Sequence, residues 1–491
     1  MTPTDSTDPH HARRWLILAV LGLAQLMVVL DATIVNIALP SAQNDLGFSD
    51  ASRQWIITAY ALAFGSLLLL GGRIGDLFGR KWVFVAGLIG FAIASALGGA
   101  AQSFGLLVGA RALQGVFGAL LAPAALSLLT TTFTAPSERN KAFGVFGAIA
   151  GSGAAAGLLL GGLLTEYLSW RWCLYVNLAF AGIAVFGALS LLTNSRPVDK
   201  PQLDIPGTIT ASGGLFSLVY GFSHAAQTSW SNPTTIGFLI AGVVLIAVFV
   251  WLQQRVAHPL LPLRVILDRD RGGSYLAVGL SGIAIFGVFL FLTFYLQQNL
   301  NFSPVKSGLA FLPMTFAIMF SATTAQTKLL PKVGPRRLVG TGLVLGAIGM
   351  IYLTGIGAHS SYWSHVFPAL IIMGLGFGLI FAPAISSATL GVEPKDAGVA
   401  SAMVNTMQQI GGSIGTALLS TLAASATTSY LAGKGTPNPE LLAQAAVHGY
   451  TTAFYWSAGI FAVAAVVCTG LLRPGVPAGE QVGAAAPAMA H

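Results

Sequence analysis

Hydrophobic residues in this chain do not alternate with polar ones and seldom keep to one face of a helical period. They come in long unbroken runs. From Trp15 onward the sequence is a series of apolar stretches near the ~20 residues a helix needs to cross a bilayer core, parted by short segments that hold most of the charge. Bracketed on that length, the runs are 15–40, 54–71, 82–101, 104–132, 142–165, 172–193, 207–223, 235–256, 273–298, 306–327, 338–357, 364–388, 397–424 and 450–472. The pattern therefore predicts an all-α polytopic membrane protein with fourteen transmembrane helices. The first run is too long for a signal-peptide core, and no A-x-A-like site follows it, so it reads as a retained span.

Composition narrows the class. Of the 491 residues, 55% are hydrophobic and only 8% charged, with a mean hydropathy of +0.76; a soluble domain carries about 25% charge. The net charge of +8 is scattered through short loops rather than gathered on a basic face, which argues against nucleic acid as a partner. Cys173 and Cys468 both sit in apolar runs and the histidines are isolated, so neither a disulfide framework nor a metal site is expected, and no cofactor is implied. The string Gly433-Lys434-Gly435-Thr436 lacks the leading glycine of a phosphate loop, so direct drive by ATP is not expected. With no nucleophile–base pair or metal cluster at membrane depth, the chain does not read as an enzyme, and no residue reads as catalytic.

Charge also orients the spans. With the N-terminus in the cytoplasm, nineteen of the 24 Lys and Arg residues fall inside, four (Arg53, Arg171, Lys306 and Lys434) fall outside, and Arg111 stays within a span. This is the positive-inside asymmetry, and an odd number of spans would scramble it. Both termini are thus expected in the cytoplasm, with the chain in the inner (plasma) membrane.

An internal repeat is visible by eye. Phe117-Gly118-x-x-x-Ala122-Pro123-Ala124 in span four recurs as Phe377-Gly378-x-x-x-Ala382-Pro383-Ala384 in span twelve, and a basic glycine-containing loop precedes each (Gly79-Arg80-Lys81; Gly334-Pro335-Arg336-Arg337). Spans four and twelve cross in the same direction, so the repeat is parallel. The expected organisation is a cytoplasmic tail at 1–14, a six-helix bundle at 15–193, two inserted helices with linkers at 194–271, a second six-helix bundle at 272–473 and a disordered tail at 474–491. Transporters built from two such halves bind cargo near mid-membrane, between the halves.

A charge in hydrocarbon costs at least ~2.5–3.5 kcal/mol, so each one needs a reason. Two are clearly within spans. Asp31, in LDATIVNIALP, and Arg111, in Arg111-Ala112-Leu113-Gln114-Gly115, both fall ~10–14 Å below the outer surface at 1.5 Å per residue, at a common depth where they can meet. One reading is a permanent salt bridge pinning two helices. The other is a switchable pair in which burial favours a protonated Asp31 and the arginine favours the ionised form. Glu166, at the outer end of span five, is the nearest other acid.

Span five carries Gly144, Gly147, Gly151, Gly153, Gly157, Gly161 and Gly162 at near-helical spacing. Such a stripe lets another helix approach closely, either as ordinary packing or as a surface that moves during alternating access. Between spans two and three, Gly72-Arg73-Ile74-Gly75-Asp76-Leu77-Phe78-Gly79-Arg80-Lys81 does more than mark the cytoplasmic side. Its glycines and Asp76 suggest a tight turn that holds a carboxylate against a helix N-terminus. Polar residues at membrane depth offer cargo contacts or helix–helix hydrogen bonds: Gln25, Asn36 and Gln114 in one half, Asn405, Gln408 and Gln409 in the other. Phe291, Phe294, Tyr295 and Phe311 are aromatic candidates for a greasy cavity, or for core and lipid contact.

Taken together these residues resemble the major facilitator superfamily, and within it the fourteen-span drug:proton antiporter branch, over nearly the whole chain. Gly72, Asp76, Gly79, Arg80 and Lys81 match the G-x-x-x-D-x-x-G-R-K signature, with Leu77 where a basic residue is usual. Arg111-x-x-Gln114-Gly115 matches the span-four motif whose arginine is implicated in proton coupling, and LDATIVNIALP matches the span-one motif of the branch, including Asp31. Trp170-Arg171-Trp172 followed by Asn177 also looks like that branch. The span-five antiporter motif, usually G-P-x-x-G-G, here reads Gly157-Leu158-Leu159-Leu160-Gly161-Gly162, preceded by Gly153, and its proline is absent.

The resemblance implies the major facilitator fold and proton-driven export of lipophilic drugs or antibiotics. Asp31 would carry the proton, Arg111 would modulate it, and Asp76 would dock on the helix after the 388–396 loop to steady the outward-facing state. The expected partners are a small lipophilic substrate, protons and the bilayer, with the chain a monomer. A proton-independent facilitator or importer of a specific metabolite in the same fold is the alternative, to which the missing proline lends weight.

Overall fold

The computed structural model describes residues 13–48, 50–193, 203–432, 434 and 438–475. Almost all of the expected N-terminal tail and of the disordered tail at 474–491 lies outside the described residues, as does most of the 433–436 string. Among the described residues the chain is helical and contains no strand.

Its helices are α1 (Arg14–Leu46), α2 (Asp50–Phe78), α3 (Arg80–Gly99), α4 (Phe104–Thr132), α5 (Pro136–Tyr167), α6 (Trp172–Leu191), α7 (Ile205–Gln227) and α8 (Pro233–Gln253). There follow a short α9 (Leu263–Leu267), then α10 (Arg269–Phe294), α11 (Pro304–Ala310), α12 (Leu312–Thr324), α13 (Leu330–Leu353), α14 (Phe367–Thr389), α15 (Ala397–Leu431) and α16 (Pro439–Leu471).

Local chemistry explains the boundaries. Proline opens α5, α8, α11 and α16, where a missing N–H costs nothing, and the side chains of Asp204, Asn232 and Asn438 cap α7, α8 and α16. Gly47 ends α1 at φ 67°, and Gly79 (φ 95°) and Gly334 (φ 75°) break the chain at matching places in the two halves. Only glycine takes such angles without strain. The expected loop at 72–81 is therefore helical except at Gly79, and Asp76 lies on the last turn of α2.

Eleven helices among the described residues are long and apolar enough to cross a membrane. The fourteen runs bracketed from the sequence differ in three places: α5 and α7 are not among the eleven, and residues 305–353 form a single stretch bent at Gly334.

The repeat reappears as packing. In the first half α4 lies between α2 and α3, and α1 packs on α5 and α6; in the second, α14 lies between α12 and α13, and α10 packs on α15 and α16. Each half has one proline inside its central helix, Pro123 in α4 and Pro383 in α14. The halves meet along two seams, α2 against α15 and α5 against α12. The inserted α7 packs on both α2 and α15, with Thr58 Oγ and Ser223 Oγ 3.1 Å apart. Close approach at these seams needs small residues: a Cβ on Gly72 would stand 2.6 Å from the Gly398 carbonyl oxygen, and one on Gly147 would stand 2.8 Å from the Ala382 Cβ.

Candidate coupling site

Asp31 and Arg111, placed at one depth by helix geometry alone, meet in the structure. Both are essentially sealed from solvent (0% and 1% exposed). Arg111 Nη1 donates to Asp31 Oδ2 at 2.5 Å and to Gln114 Oε1 at 2.7 Å, and its Nε donates to the Ile56 carbonyl at 3.3 Å. The guanidinium also lies over the ring of Tyr60, 4.5 Å from its centre. The other carboxylate oxygen, Asp31 Oδ1, accepts from Gln114 Nε2 at 3.0 Å and Asn177 Nδ2 at 2.7 Å. Ser95 Oγ accepts from both amides, at 2.7 Å from Gln114 and 3.3 Å from Asn177.

One ion pair is thus held by groups from α1, α2, α3, α4 and α6. Taking two charges out of water costs several kcal/mol per ion, which is recovered only when the remaining lone pairs and protons find partners. Here three donors converge on the carboxylate and supply that condition. Ionised aspartate only accepts, so the network as it stands fits an ionised Asp31.

The glycine stripe of α5 is built onto the same stretch of α1. Cβ atoms on Gly153, Gly157 and Gly161 would meet Val29 at 2.7 Å, Thr33 at 2.0 Å and Ile34 at 2.9 Å respectively, three side chains that flank Asp31 along α1. The opposite edge of α5 faces the second half: Gly144 on Gln326, Gly147 on Ala382 and Gly162 on Val305. One helix thereby touches both the segment carrying the buried acid and the partner half.

At the end of the bundle where α2 meets the start of α15, both Asp76 oxygens accept from the Gly398 N–H at 3.1 Å. Arg80 Nη2 donates to Asp76 Oδ1 at 3.1 Å. A carboxylate on the first turn of a helix satisfies an orphan N–H and meets the positive end of the dipole. Lys81 Nζ donates to the carbonyls of Leu189 and Leu192 (3.0 and 2.5 Å) at the opposite, negative end of α6. A second tie joins the same ends: Arg139 Nη2 of α5 donates to Thr389 Oγ1 at 2.9 Å and to the Ser386 carbonyl at 3.4 Å on α14.

Comparison with known proteins identifies this architecture. The Major Facilitator Superfamily profile matches residues 21–416. The chain belongs to the major facilitator superfamily. It is therefore a multi-pass membrane transporter and not an enzyme. This major facilitator is 50% identical over 475 residues to the puromycin resistance protein of Streptomyces alboniger, across 96% of this chain and 94% of that one. It is 36% identical to the cephamycin export protein of Amycolatopsis lactamdurans, across 82% and 84% of the two chains. The crystal structure of the human organic anion transporter MFSD10 superposes with a TM-score of 0.61 at 17% identity, covering 94% of this chain and 99% of that one, a likeness of fold.

Not every candidate residue of this major facilitator joins the cluster. Gln114, expected among cargo contacts, has both ends of its amide engaged with Arg111, Asp31 and Ser95. Gln25 is buried on α1, and the side chain of Asn36 lies outside the described residues. Asn405 bonds back to the Ser401 carbonyl of its own helix (3.0 Å), and Gln409 lies against Gly65 on the α2–α15 seam. Gln408, half-buried, is on the same stretch of α15. Tyr295 is fully buried at the end of α10, its hydroxyl donating to the Gly357 carbonyl at 2.9 Å; it anchors a loop apart from the cluster. Phe291 and Phe311 are core residues, and Phe294 is exposed on the outside of the bundle.

Two members of the cluster carry little mark in the sequence: Ser95 is not singled out at all, and Asn177 stands out only for its place after the Trp170-Arg171-Trp172 stretch, with nothing to tie it to Asp31. The Trp170-Arg171-Trp172 stretch finds its role at the end of the first half. Arg171 donates to Asp45 Oδ2 (2.9 Å) and to the carbonyls of Gly99 and Ala101 (2.9 and 2.6 Å), while Trp170 Nε1 donates to Asp45 at 3.0 Å.

Proposed function

We propose that this major facilitator is a proton-coupled exporter of a lipophilic antibiotic, exchanging inward proton movement for outward drug movement across the cytoplasmic membrane. The observation that carries the reading is the sealed Asp31–Arg111 pair. An ionisable carboxylate inside a membrane protein, tied to several helices and lying beneath a glycine-lined helix that also touches the other half, is suited to exchange a proton as the halves move. One charge crossing 100 mV supplies ~2.3 kcal/mol, and a pH gradient adds to this.

In this scheme Asp31 is the proton carrier. Ionised, it is held by Arg111, Gln114 and Asn177; protonated at Oδ1, it loses its attraction for Arg111, and the contact between α1 and α4 loosens. Asp76 latches α2 to the N-terminus of α15 and, with Arg139 on α14, keeps the cytoplasmic ends together, so that cargo leaves outward. The two bundles are residues 15–193 and 272–473, with α7 and α8 inserted between them. The fourteen crossings of the scheme count α5, α7 and both arms of the helix bent at Gly334, leaving both termini in the cytoplasm of a monomer. The names of the puromycin and cephamycin relatives support an antibiotic cargo, and puromycin is the first compound to test.

The test is collapse of a preformed pH gradient in inverted membrane vesicles carrying this chain. Puromycin should dissipate the gradient, and vesicles carrying Asp31→Asn should not respond. Labelled puromycin equilibrating without any gradient, at equal rates in both proteins, would instead establish a facilitator.

A further inference from the structure

Three donors hold the Asp31 carboxylate, and they are not equivalent. Arg111 carries no acceptor and cannot reverse. Gln114 donates through Nε2, but its Oε1 is held by Arg111 Nη1 at 2.7 Å; turned over, it would set an NH₂ group against a guanidinium. Asn177 differs. Its Nδ2 faces Asp31 Oδ1 and Ser95 Oγ, while its Oδ1 is buried without a hydrogen-bond partner. Leaving a buried carbonyl unpaired is unfavourable, and here it frees one amide in the cluster to turn.

We propose that Asn177 is the positioning residue that switches with the protonation of Asp31, by inverting its side-chain amide. This deepens the proton-carrier reading of Asp31 and rests on it. With Asp31 ionised, the Asn177 NH₂ donates to the carboxylate and to Ser95. When a proton from the outer aqueous side forms an O–H bond at Asp31 Oδ1, that oxygen becomes a donor facing a donor. Turning the amide brings Asn177 Oδ1 to the same place, where it accepts from the new carboxyl O–H. The turned carbonyl also faces the Ser95 hydroxyl, which accepts from both amides in the ionised state and then donates. The two ends of an amide are nearly the same size, so the inversion needs no space, and one buried polar end stays unpaired in either state.

The other groups facing the carboxylate do not compete for this role. Tyr60 on α2 lies beneath the guanidinium. The Cys173 thiol on α6, one turn before Asn177, pairs with Thr165 Oγ1 (3.3 Å) and the Gly161 carbonyl (3.7 Å), and α5 presents glycines.

Infrared difference spectra across a pH titration of the purified chain in lipid test the inference. A carboxyl carbonyl band should appear on acidification and be absent in Asp31→Asn. An amide carbonyl band should change with the same pH course, be absent in Asn177→Leu and move to lower wavenumber in unmutated protein grown with carbonyl-¹³C asparagine, so that the assignment survives if the variant does not fold. In Asn177→Leu the Asp31 carboxyl, deprived of its acceptor, should move to higher wavenumber, whereas Gln114→Leu should retain the Asn177 signal. A titrating Asp31 band with no accompanying asparagine band would overturn the switch and leave Asn177 a fixed donor. No carboxyl band across the titration would overturn the proton-carrier reading itself, and the switch with it.

Discussion

Gly157 of α5 stands so close to α1 that a Cβ on it would lie 2.0 Å from Thr33 Oγ1 and 3.0 Å from the Leu30 carbonyl oxygen. Those two residues flank Asp31, and Thr33 already donates to the Leu30 carbonyl at 3.0 Å. The absence of one side chain on α5 thus sets how closely the helix reaching the second half can lie on the turn that carries the buried acid.

Gly157→Val should accordingly separate α5 from α1. Thr33 can turn its hydroxyl aside, but the Leu30 backbone cannot yield without moving Asp31. Overpacking of this kind costs about 1–3 kcal/mol, and where that cost falls on the transport step drug efflux should drop by roughly five- to 150-fold, read in vesicles at matched protein levels. Gly105→Ala, where a Cβ meets nothing within 4 Å, should behave as the parent protein.

The Asp31–Arg111 pair should show strong coupling in a double-mutant cycle. Each single change, Asp31→Asn or Arg111→Gln, leaves the other partner short of its counter-charge in a sealed site, a loss of about 3–5 kcal/mol for a buried pair. The double variant should melt at a higher temperature than at least one single variant, and all three should fail to export drug. Additive losses in thermal melts would show that the two charges are not coupled.

At the latch, Asp76→Asn keeps the shape of the side chain but removes its charge from the first turn of α15. A charge at a helix N-terminus is worth about 0.3–1 kcal/mol, and up to ~2 in partly buried geometry, so the closed-to-open ratio at this end should fall by roughly two- to thirtyfold. A cysteine replacing Ser387, buried on α14, reports the change. Its alkylation by a membrane-impermeant maleimide in inverted vesicles should be faster in the Asp76→Asn background, and an unchanged rate would refute the latch.

Arg171 is expected to matter for stability and not for coupling. It ties Asp45 at the end of α1 to the carbonyls of Gly99 and Ala101 between α3 and α4. Arg171→Lys supplies a point charge where a planar fork is needed. The melting temperature should drop, while the pH dependence of efflux per folded molecule should keep its shape.

Much of this was legible in the chain because membrane residence makes some residues conspicuous. A charge inside an apolar run is costly, so Asp31 and Arg111 stood out, and helix rise alone put them at one depth. Gly79 marked the break just after Asp76, whereas Gly72, read as part of the same turn, is helical and instead lets α15 approach. Ser95 was not legible as a member of the site, and Asn177, conspicuous only after the Trp170-Arg171-Trp172 stretch, was not tied to Asp31, because small polar side chains recur in many spans as ordinary helix–helix bonds. Gln114 and Tyr295 illustrate the converse: their polar groups suited a cargo site on paper, yet neighbouring guanidinium and carbonyl groups had already engaged them.

The sequence by itself determined the elements and the class: apolar runs must become helices in lipid, since every backbone polar group must be satisfied within its own segment, and the repeated Phe-Gly and Ala-Pro-Ala motifs required two similar halves. Only the tertiary structure decided which donors converge on Asp31, which edge of α5 faces α1 and which faces the partner half, and that the Gly398 N–H is the one that meets Asp76. Those outcomes depend on helix rotation and on approach distances of a few ångströms, which are set jointly by many packed side chains and are not written in any single stretch of chain.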